Sequence, residues 1–499
     1  MNYAREYREG QATKADRNPE GRRRQIRPGL RPVADRAFSR AAGAPLIEGN
    51  RVGLLKDGKE NYPAWIEAIR GAKKTVHFEC YIIHSDDIGY QFAETMCFKA
   101  REGVRIRVIY DWLGAQGTSS WRFWRRMRQA GVEVRCFNPP RFDSPLGWLS
   151  RDHRKTITVD GRVGFVSGLC VGQSWIGDAK RGIEPWRDTG VAIEGPAVIE
   201  LEQAFASIWA GLGPAVPTED LALDSSAIPP AGNVALRVVP AMPWKAGLYR
   251  IDLLIAAMSR RSIWLTDAYF LGTPSYVEAL SEAAQDGVDV RLLLPKTSDV
   301  PVVSSLSRMG YRALLEAGVR IFEWKGSMLH AKTAVADGRW ARVGSTNLNA
   351  ASWIGNCELD VIVENETFAR LMEETYLEDL HNSTEIVLGS KHKVHPTERR
   401  NRKSRQKGAA RGSASRAATG ILALGSTVGA AFTSQQMLGT AEIPPLTVAA
   451  LLLLAFAGIA AYWPHAISVM ASILCTWMAL TLLLRVIRLW WSHRRIRDE

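Results

Sequence analysis

The stretch HAKTAVADGRWARVGSTN, residues 330–347, decides the fold because the chain contains a second version of it. The earlier version, HRKTITVDGRVGFVSGLC, occupies residues 153–170. Both begin with the pattern H-x-K-x-x-x-x-D-G, and each continues into a turn that contains Gly and Ser. A single match arises easily by chance, whereas two matches in similar surroundings indicate an internal duplication.

Segments around the two motifs repeat as well, in the same order. The corresponding pairs are 73–76 and 260–263, 103–106 and 287–290, 130–132 and 317–319, and 186–188 and 356–358. A duplicated chain commonly folds as two similar halves that face each other. A site built from both halves then lies at their interface.

Strand and helix patterns alternate in the first half. Residues 75–83 (TVHFECYII) are rich in β-branched and aromatic side chains, and residues 88–101 carry apolar side chains at helical spacing. Further strands are predicted at 104–110 and 132–137, with a helix at 121–129 between them. Short strands separated by helices predict an α/β fold.

The paired histidines and lysines indicate phosphoryl chemistry. A spacing of two on a strand puts His330 and Lys332 on one face, and His153 and Lys155 form the same pair in the other half. A neutral imidazole attacks phosphorus while an ammonium neutralises the phosphate oxygens. The second imidazole protonates the leaving alcohol and then deprotonates the acceptor. We expect neither a metal nor a cofactor, because lysines supply the counter-charge.

Several polar residues follow each motif. Ser345 and Asn347 are expected to hydrogen-bond the phosphate, and Asp188 or Glu358 to accept the other ring N–H of a histidine. Asp160 and Asp337 complete the motifs and are counted with the catalytic set. Because Asp-Gly favours a turn, we give these two aspartates a mainly structural role.

The net charge of +13 is concentrated in three segments. Residues 1–44 contain 11 Lys/Arg against 5 Asp/Glu, residues 391–416 contain 10 against 1, and residues 485–499 contain 5 against 2. The remaining body is therefore mildly acidic, which disfavours a duplex nucleic-acid binder. Six cysteines show no metal-ligand spacing, so reduced thiols in a cytosol-facing protein and no zinc site are predicted.

Changes in composition divide the chain. We predict a basic disordered arm (1–44), a first half (45–212), a linker (213–233), a second half (234–388), a basic linker (389–416), a hydrophobic membrane region (417–484) and a basic tail (485–499).

The membrane region contains two strongly apolar segments, 446–463 and 466–484, each close to the ~20 residues that span a bilayer. A hairpin of two spans puts the basic runs 399–403 and 485–497 on one side, which the positive-inside rule makes the cytoplasm. The weakly apolar segment 417–438 is then interfacial or a poor span. We expect an inner-membrane protein with a cytoplasmic catalytic body.

With these motifs the chain resembles the phospholipase D superfamily, and more narrowly bacterial cardiolipin synthases, over about residues 45–388. The resemblance implies two α/β halves around a pseudo-twofold axis, a covalent phosphohistidine, and phosphatidyl transfer between two phosphatidylglycerol molecules with release of glycerol. It implies His153 and His330 as the catalytic pair, Lys155 and Lys332 as phosphate binders, and Asn347 and Glu358 as supporting residues. Family habit favours His153 as the nucleophile.

The chain departs from that family in two places. Cys170 stands where the family usually has Asn, and the predicted hairpin is C-terminal, whereas many cardiolipin synthases carry theirs at the N-terminus.

Three other functions stay open from sequence: phospholipase D hydrolysis with water as acceptor, a phosphodiesterase acting on nucleic acid, and an inactive membrane scaffold. The aromatic-basic segments 121–126 and 145–148 suit a lipid headgroup interface, and the alternative for the first is an ordinary amphipathic helix packed on the sheet.

Overall fold

The structure, a computed structural model, describes residues 31–140, 149–222, 228–243, 245–388 and 394–396, with isolated helical residues between 454 and 480. The two predicted membrane spans, 446–463 and 466–484, lie outside the described residues apart from those isolated positions, as do residues 1–30 and most of the basic linker. No described helix combines the length and the apolar character needed to cross a bilayer.

Sixteen described strands form one continuous sheet. They are β1 (Ile47–Lys56), β2 (Thr75–Cys80), β3 (Arg105–Asp111), β4 (Glu133–Phe137), β5 (Lys155–Val159), β6 (Val163–Ser167), β7 (Thr189–Glu194), β8 (Val234–Ala241), β9 (Ser262–Thr266), β10 (Asp289–Pro295), β11 (Arg320–Trp324), β12 (Thr333–Ala336), β13 (Trp340–Gly344), β14 (Glu358–Glu364), β15 (Ser383–Leu388) and β16 (Val394–Pro396). Strands such as β2 and β5 are buried along their whole length, as β-branched sequences like KTITV favour.

The strand order confirms the duplication. It runs β16-β15-β11-β10-β9-β12-β13-β14-β8-β1-β7-β6-β5-β2-β3-β4. The first seven strands recur as β8 to β14 with the same neighbours, and the halves join where β1 and β8 pair antiparallel. In each half the second and third strands are parallel, while the motif strand pairs antiparallel with the second. Strands β15 and β16 extend only the second half, and β16 lies inside the predicted basic linker.

Helices connect and cover the strands. They are α1 (Arg31–Ala42), α2 (Asp57–Gly71), α3 (Asp87–Arg101), α4 (Trp112–Ala115), α5 (Trp121–Gln129), α6 (Gln173–Ile176), α7 (Val198–Gly211), α8 (Gly247–Met258), α9 (Pro274–Gln285), α10 (Pro301–Met309), α11 (Tyr311–Glu316) and α12 (Glu366–His381). Side-chain caps begin several of them. Asp86 accepts from the Gly89 N–H at the start of α3, and Asn365 accepts from the Phe368 N–H at the start of α12.

Each half has its own hydrophobic core, and a third cluster joins them. That cluster packs Val191 and Leu201 of the first half against Val361 and Met372 of the second. Because apolar side chains from both halves share this cluster, the halves are held in one orientation. A site between them is therefore fixed in geometry.

The prediction that residues 1–44 form a disordered arm is wrong for residues 31–42. Residues 31–42 form α1, which packs on α8, and Ala42 and Ala44 are buried in the core of the second half. Arg237 donates to the Ser39 hydroxyl at 2.6 Å. Composition did not predict this helix, because its few apolar residues pack against α8, which begins at Gly247, far along the chain.

Candidate active site

Each motif histidine is bonded to a carboxylate from the opposite half. Nδ1 of His153 lies 2.9 Å from Oε2 of Glu358, and Nδ1 of His330 lies 2.7 Å from Oδ2 of Asp188. Both carboxylates are fully buried. Since Nδ1 donates to a carboxylate in both cases, Nε2 of each imidazole carries the free lone pair.

Backbone hydrogen bonds of the two motif histidines also connect the two halves. The His153 N–H donates to the Cys357 carbonyl at 2.8 Å, and the His330 N–H donates to the Arg187 carbonyl at 2.7 Å. Residues 152 and 357 form one isolated bridge between the halves, and residues 187 and 329 form another. Thus the residue before each carboxylate is hydrogen-bonded directly to a motif of the other half.

Strand starts place the carboxylates. Glu358 is the first residue of β14, and Asp188 immediately precedes β7. Gly168 makes room for Asp188, because a Cβ at this position would lie 2.2 Å from Oδ1 of Asp188. In the second half, Ser345 stands at the position equivalent to Gly168, and its hydroxyl donates to Oε2 of Glu358 at 2.6 Å. In the first half the indole N–H of Trp175 supports Asp188 in the same way, by donating to its Oδ2 at 3.2 Å.

The lysines and two tyrosines repeat the pseudo-symmetry. The Lys155 ammonium lies 5.3 Å from the Tyr81 ring, and the Lys332 ammonium lies 5.8 Å from the Tyr269 ring. Each ammonium also donates to the carbonyl of its own motif histidine. Both lysines are almost fully buried, at 3% and 1% exposure. Two buried cations beside two imidazoles supply the counter-charge that a phosphate anion requires.

The imidazoles are neutral at neutral pH. Burial lowers the pKa of His153 to about 4, although the Glu358 carboxylate opposes the change. Burial, reinforced by the Lys332 ammonium, lowers the pKa of His330 to about 3. The lysine of the opposite half lowers both histidine pKa values further, which is the electrostatic sign of a single shared site.

The carboxylates are ionised, and the pKa of one lysine is lowered. Burial acts to raise the pKa of Asp188, but its contact with His330 and the charge of Lys332 outweigh burial and hold that pKa below its usual value. His153 and Lys155 do the same for the pKa of Glu358. Burial lowers the pKa of Lys332 to about 8, against the attraction of Asp188.

Two predicted phosphate ligands are placed differently. Asn347 is 4% exposed, and its Oδ1 accepts no hydrogen bond from the described residues. Because an amide oxygen is an acceptor, only the NH₂ of Asn347 is suited to a phosphate oxygen. The Ser345 hydroxyl is committed to Glu358, which makes it a support for the carboxylate and not a phosphate ligand. Likewise, Asp188 and Glu358 contact the histidines instead of the space for substrate.

The surroundings of the two lysines differ. Cys170 stands at the position of Asn347, and Cys80 lies opposite Lys155 in the register of β2 and β5. In the second half Asp267, which directly follows β9, lies near enough to Lys332 for its charge to oppose the lowering of the Lys332 pKa. The first half therefore surrounds its lysine with thiols, where the second half uses a carboxyl and an amide.

Asp160 and Asp337 lie outside the site, at the far ends of the motif strands. Asp160 accepts from the backbone N–H groups of residues 73–75 at 2.7–2.9 Å, and Asp337 accepts from those of residues 260–262 at 2.8–3.2 Å. Both have a positive φ, at 55° and 53°, as the Asp-Gly turn requires. These contacts favour the structural role: the two aspartates tie each motif to the start of β2 or β9.

Sequence reasoning missed several residues at the site. Tyr81 and Tyr269 stack edge-on against the two histidines, at 5.1 and 5.9 Å, and Trp175 contacts His330 at 5.7 Å. Arg154 is buried and donates to carbonyls of both halves, including that of Glu358 at 3.1 Å. The one available signal was position: Tyr81 follows β2, and Tyr269 comes shortly after β9. Nothing in the sequence marks Trp175 or Arg154.

The arrangement supports nucleophilic and acid–base chemistry on one phosphate. Within the described residues, no group of three or more His, Cys, Asp or Glu side chains is arranged to hold a metal ion. Among the described residues, Lys155 and Lys332 bring positive charge to the two motif histidines.

Comparison with known proteins gives consistent matches. Residues 65–209 and 253–380 match the family described as "Cardiolipin synthase, PLD-like domain". The chain is 34% identical to "Cardiolipin synthase A" of Pseudomonas fluorescens (strain SBW25) over 360 residues, which cover 70% of this chain and 73% of that protein. It is 32% identical to "Cardiolipin synthase" of Geobacillus kaustophilus (strain HTA426), with 72% of each chain covered.

A solved structure shares the fold at low sequence identity. The phosphatidylserine synthase of Haemophilus influenzae Rd KW20 superposes with a TM-score of 0.57 at 12% identity, covering 70% of this chain and 91% of the other. At this identity the likeness supports the two-half α/β fold alone.

Proposed function

The chain belongs to the cardiolipin synthase family of phospholipase D-like enzymes and is a phosphatidyltransferase of that type; from this premise, we propose that it joins two phosphatidylglycerol molecules into cardiolipin and releases glycerol. The crossed His–carboxylate pairs carry the proposal, because they put two oriented imidazoles in one site. One site with two imidazoles can cleave one phosphodiester and form another.

In the first step Nε2 of His153 attacks the phosphorus of phosphatidylglycerol. The bond from phosphorus to the glycerol oxygen breaks, and that oxygen takes a proton from Nε2 of His330. A phosphatidyl group bonded to His153 remains. We assign the nucleophile to His153 because its side chain is the more exposed, at 12% against 6% for His330. Lys155, Lys332 and the Asn347 amide bind the phosphate oxygens.

In the second step the hydroxyl of another phosphatidylglycerol gives its proton to Nε2 of His330 and attacks the same phosphorus. The bond from nitrogen to phosphorus breaks, cardiolipin leaves, and His153 is neutral again. Asp188 holds His330 in one tautomer throughout and stabilises its imidazolium form.

His330 must be protonated when it acts as the acid, although burial lowers its pKa to about 3 in the free protein. The phosphodiester anion supplies the missing charge. A negative group between the imidazoles favours the protonated form of His330 and raises its pKa on binding. Substrate binding is therefore accompanied by uptake of one proton from solvent onto Nε2 of His330.

Lipid chemistry implies contact with a membrane. The apolar segments 446–463 and 466–484 are long enough for a membrane hairpin, and the basic runs on either side favour a cytoplasmic catalytic body in the inner membrane. Protease treatment of sealed inverted vesicles and of intact spheroplasts tests this orientation. Cleavage of the catalytic body only from the outer face of spheroplasts would contradict it.

Product analysis tests the reaction. The purified chain is incubated with phosphatidylglycerol, and lipids and free glycerol are measured together. We expect one cardiolipin for each glycerol released. Phosphatidic acid with glycerol and no cardiolipin would make water the acceptor, and cleavage of DNA without any lipid product would replace the lipid reaction with nucleic-acid hydrolysis.

A further inference from the structure

Helix α5 presents an unusual surface next to the site. Its sequence, WRFWRRMRQ, contains four arginines and no acidic residue. Phe123, Trp124 and Met127 are buried against the first half, so the helix is firmly packed. Trp121, by contrast, is 63% exposed. A large exposed indole on a packed helix indicates a surface that meets something other than water.

Two arginines stack on that exposed indole. The guanidinium groups of Arg122 and Arg125 lie 5.7 and 5.6 Å from the centre of the Trp121 ring. Neither forms an ion pair with any residue that the structure describes. Arg126 differs, because it pairs with Glu94 at 3.1 Å. The exposed end of α5 therefore carries two positive charges that no described residue neutralises.

A groove runs along the same surface. Its volume is about 520 Å³. Its floor is the stacked pair of Tyr110 and Trp124, whose ring centres are 3.9 Å apart. Its lining residues are Tyr110, Trp121, Trp124, Arg125, Arg128 and Gln129. Aromatic walls with arginines at the rim suit an amphiphile with an anionic head, such as a phospholipid at the level of its phosphate.

The α5 surface lies on the sheet edge that carries the transfer site. In the register of the sheet, Tyr110 is opposite Cys80, and Cys80 is opposite Lys155. At about 4.8 Å between neighbouring strands, the groove floor begins roughly 10 Å from the Lys155 backbone. The Ser85 N–H also donates to the Thr118 carbonyl at 2.9 Å, which holds the start of α5 beside the end of β2.

We propose that the surface formed by Trp121, Arg122, Arg125 and Arg128 is a docking site for anionic phospholipid headgroups of a bilayer. Trp121 enters the headgroup layer, the arginines pair with lipid phosphates, and the sheet edge with the paired histidines is held against the membrane. This contact goes beyond the proposed transfer reaction and does not require that the docked lipid reacts.

Photo-crosslinking of the full chain tests the contact directly. A benzoylphenylalanine replaces Trp121 in protein reconstituted into phosphatidylcholine vesicles, with or without phosphatidylglycerol of the same acyl chains. Phe98 is the matched control position, because it is 58% exposed but lies in the last turn of α3, toward the opposite sheet edge. We expect lipid adducts at position 121 that increase several-fold with phosphatidylglycerol, and few at position 98.

Charge variants add a kinetic measurement in mixed micelles. Each arginine near a membrane surface strengthens binding about fivefold. Replacing both in Arg122→Gln/Arg125→Gln should raise the surface fraction of substrate at half-saturation about 25-fold and leave kcat unchanged. Arg126→Gln, with its charge already paired, should have a much smaller effect.

The outcomes separate the two proposals. Adducts at position 121 that are absent, insensitive to phosphatidylglycerol, or matched at position 98 would overturn the docking site. So would a loss of kcat without a change in half-saturation in the arginine variant. Cardiolipin formation by the wild-type protein is unaffected by either result, whereas adducts without any cardiolipin would overturn the reaction and keep the docking site.

Discussion

The crossed carboxylates respond unequally to loss of charge, and Asp188→Asn is the more damaging change. Oδ1 of Asp188 accepts from the Thr189 N–H at 2.8 Å, and Oδ2 accepts from Trp175 at 3.2 Å besides His330. Both oxygens face N–H donors. The NH₂ of an asparagine would meet a donor in either orientation, and facing His330 it would place the proton on the wrong ring nitrogen.

In Glu358→Gln a neighbouring hydroxyl can reorient to fit the new NH₂ group, which is not possible in Asp188→Asn. Oε2 of Glu358 is contacted by the Ser345 hydroxyl, which donates at 2.6 Å but is free to rotate. The same hydroxyl can accept from a glutamine NH₂ and turn its own hydrogen toward the Leu359 carbonyl at 3.4 Å. The glutamine oxygen then takes the place of Oε1, which lies 3.1 Å from Nδ1 of His153 and also accepts from the Asn356 NH₂ at 3.3 Å, so the tautomer is kept.

The hydrogen bonds lost in each variant determine how far its kcat/KM should fall. Loss of a charge-assisted hydrogen bond costs roughly 1.5–3 kcal/mol, and a buried donor left unpaired costs roughly 1–3 kcal/mol more. Glu358→Gln loses only the first, so kcat/KM should fall about 10- to 150-fold. Asp188→Asn loses both, so kcat/KM should fall about 10²- to 10⁴-fold.

The assay is initial-rate cardiolipin formation from phosphatidylglycerol at neutral pH, with thermal unfolding of each variant as a control for folding. Two results would refute the reasoning. Either both variants stay within about threefold of the wild type, or Glu358→Gln proves the more damaging of the two while both remain folded.

Three further outcomes are expected. His153→Ala and His330→Ala should each abolish turnover, and near-wild-type activity in either would show that the halves do not share a site. The Lys332 cation is lost above its pKa of about 8, so kcat/KM should decline above about pH 8. Lys332→Arg, which stays charged, should move that decline beyond about pH 10 at a lower plateau, and a decline left near pH 8 would assign it to another group. Asp160→Asn leaves the Lys73 N–H facing a donor and should cost about 1–3 kcal/mol of stability, or about 2–4 °C in Tm per kcal/mol, with kcat/KM within about twofold of wild type. A large loss of activity at unchanged Tm would contradict the structural role of Asp160.

Much of the site was predictable because a duplication repeats in sequence what it repeats in space. The matched order of segments gave the two halves, and a spacing of two on a strand gave each His–Lys pair. The role of Asp160 followed from turn chemistry, and the structure adds that it binds the backbone of residues 73–75, inside a segment already recognised as repeated.

The sequence did not predict that each carboxylate contacts the histidine of the opposite half. Asp188 and Glu358 were both recognised as acceptors for a histidine, but which acid meets which histidine depends on how the halves are placed. The same limit applies to Trp175, which lies in the first half and contacts the histidine of the second. The helix α1 was missed because its apolar residues are too few to define a face without the partner α8.

Trapping during turnover with a rapid SDS quench at alkaline pH, which preserves an N–P bond, tests the central claim most directly. Phosphatidylglycerol labelled at its phosphate is mixed with enzyme, the reaction is stopped within the first turnovers, and bound label is mapped to a peptide. We predict an acid-labile, alkali-stable label on the peptide that contains His153, absent from His153→Ala. Cardiolipin forming while no label binds any histidine would contradict the covalent mechanism, and label on the peptide with His330 instead would reverse the roles of the two imidazoles.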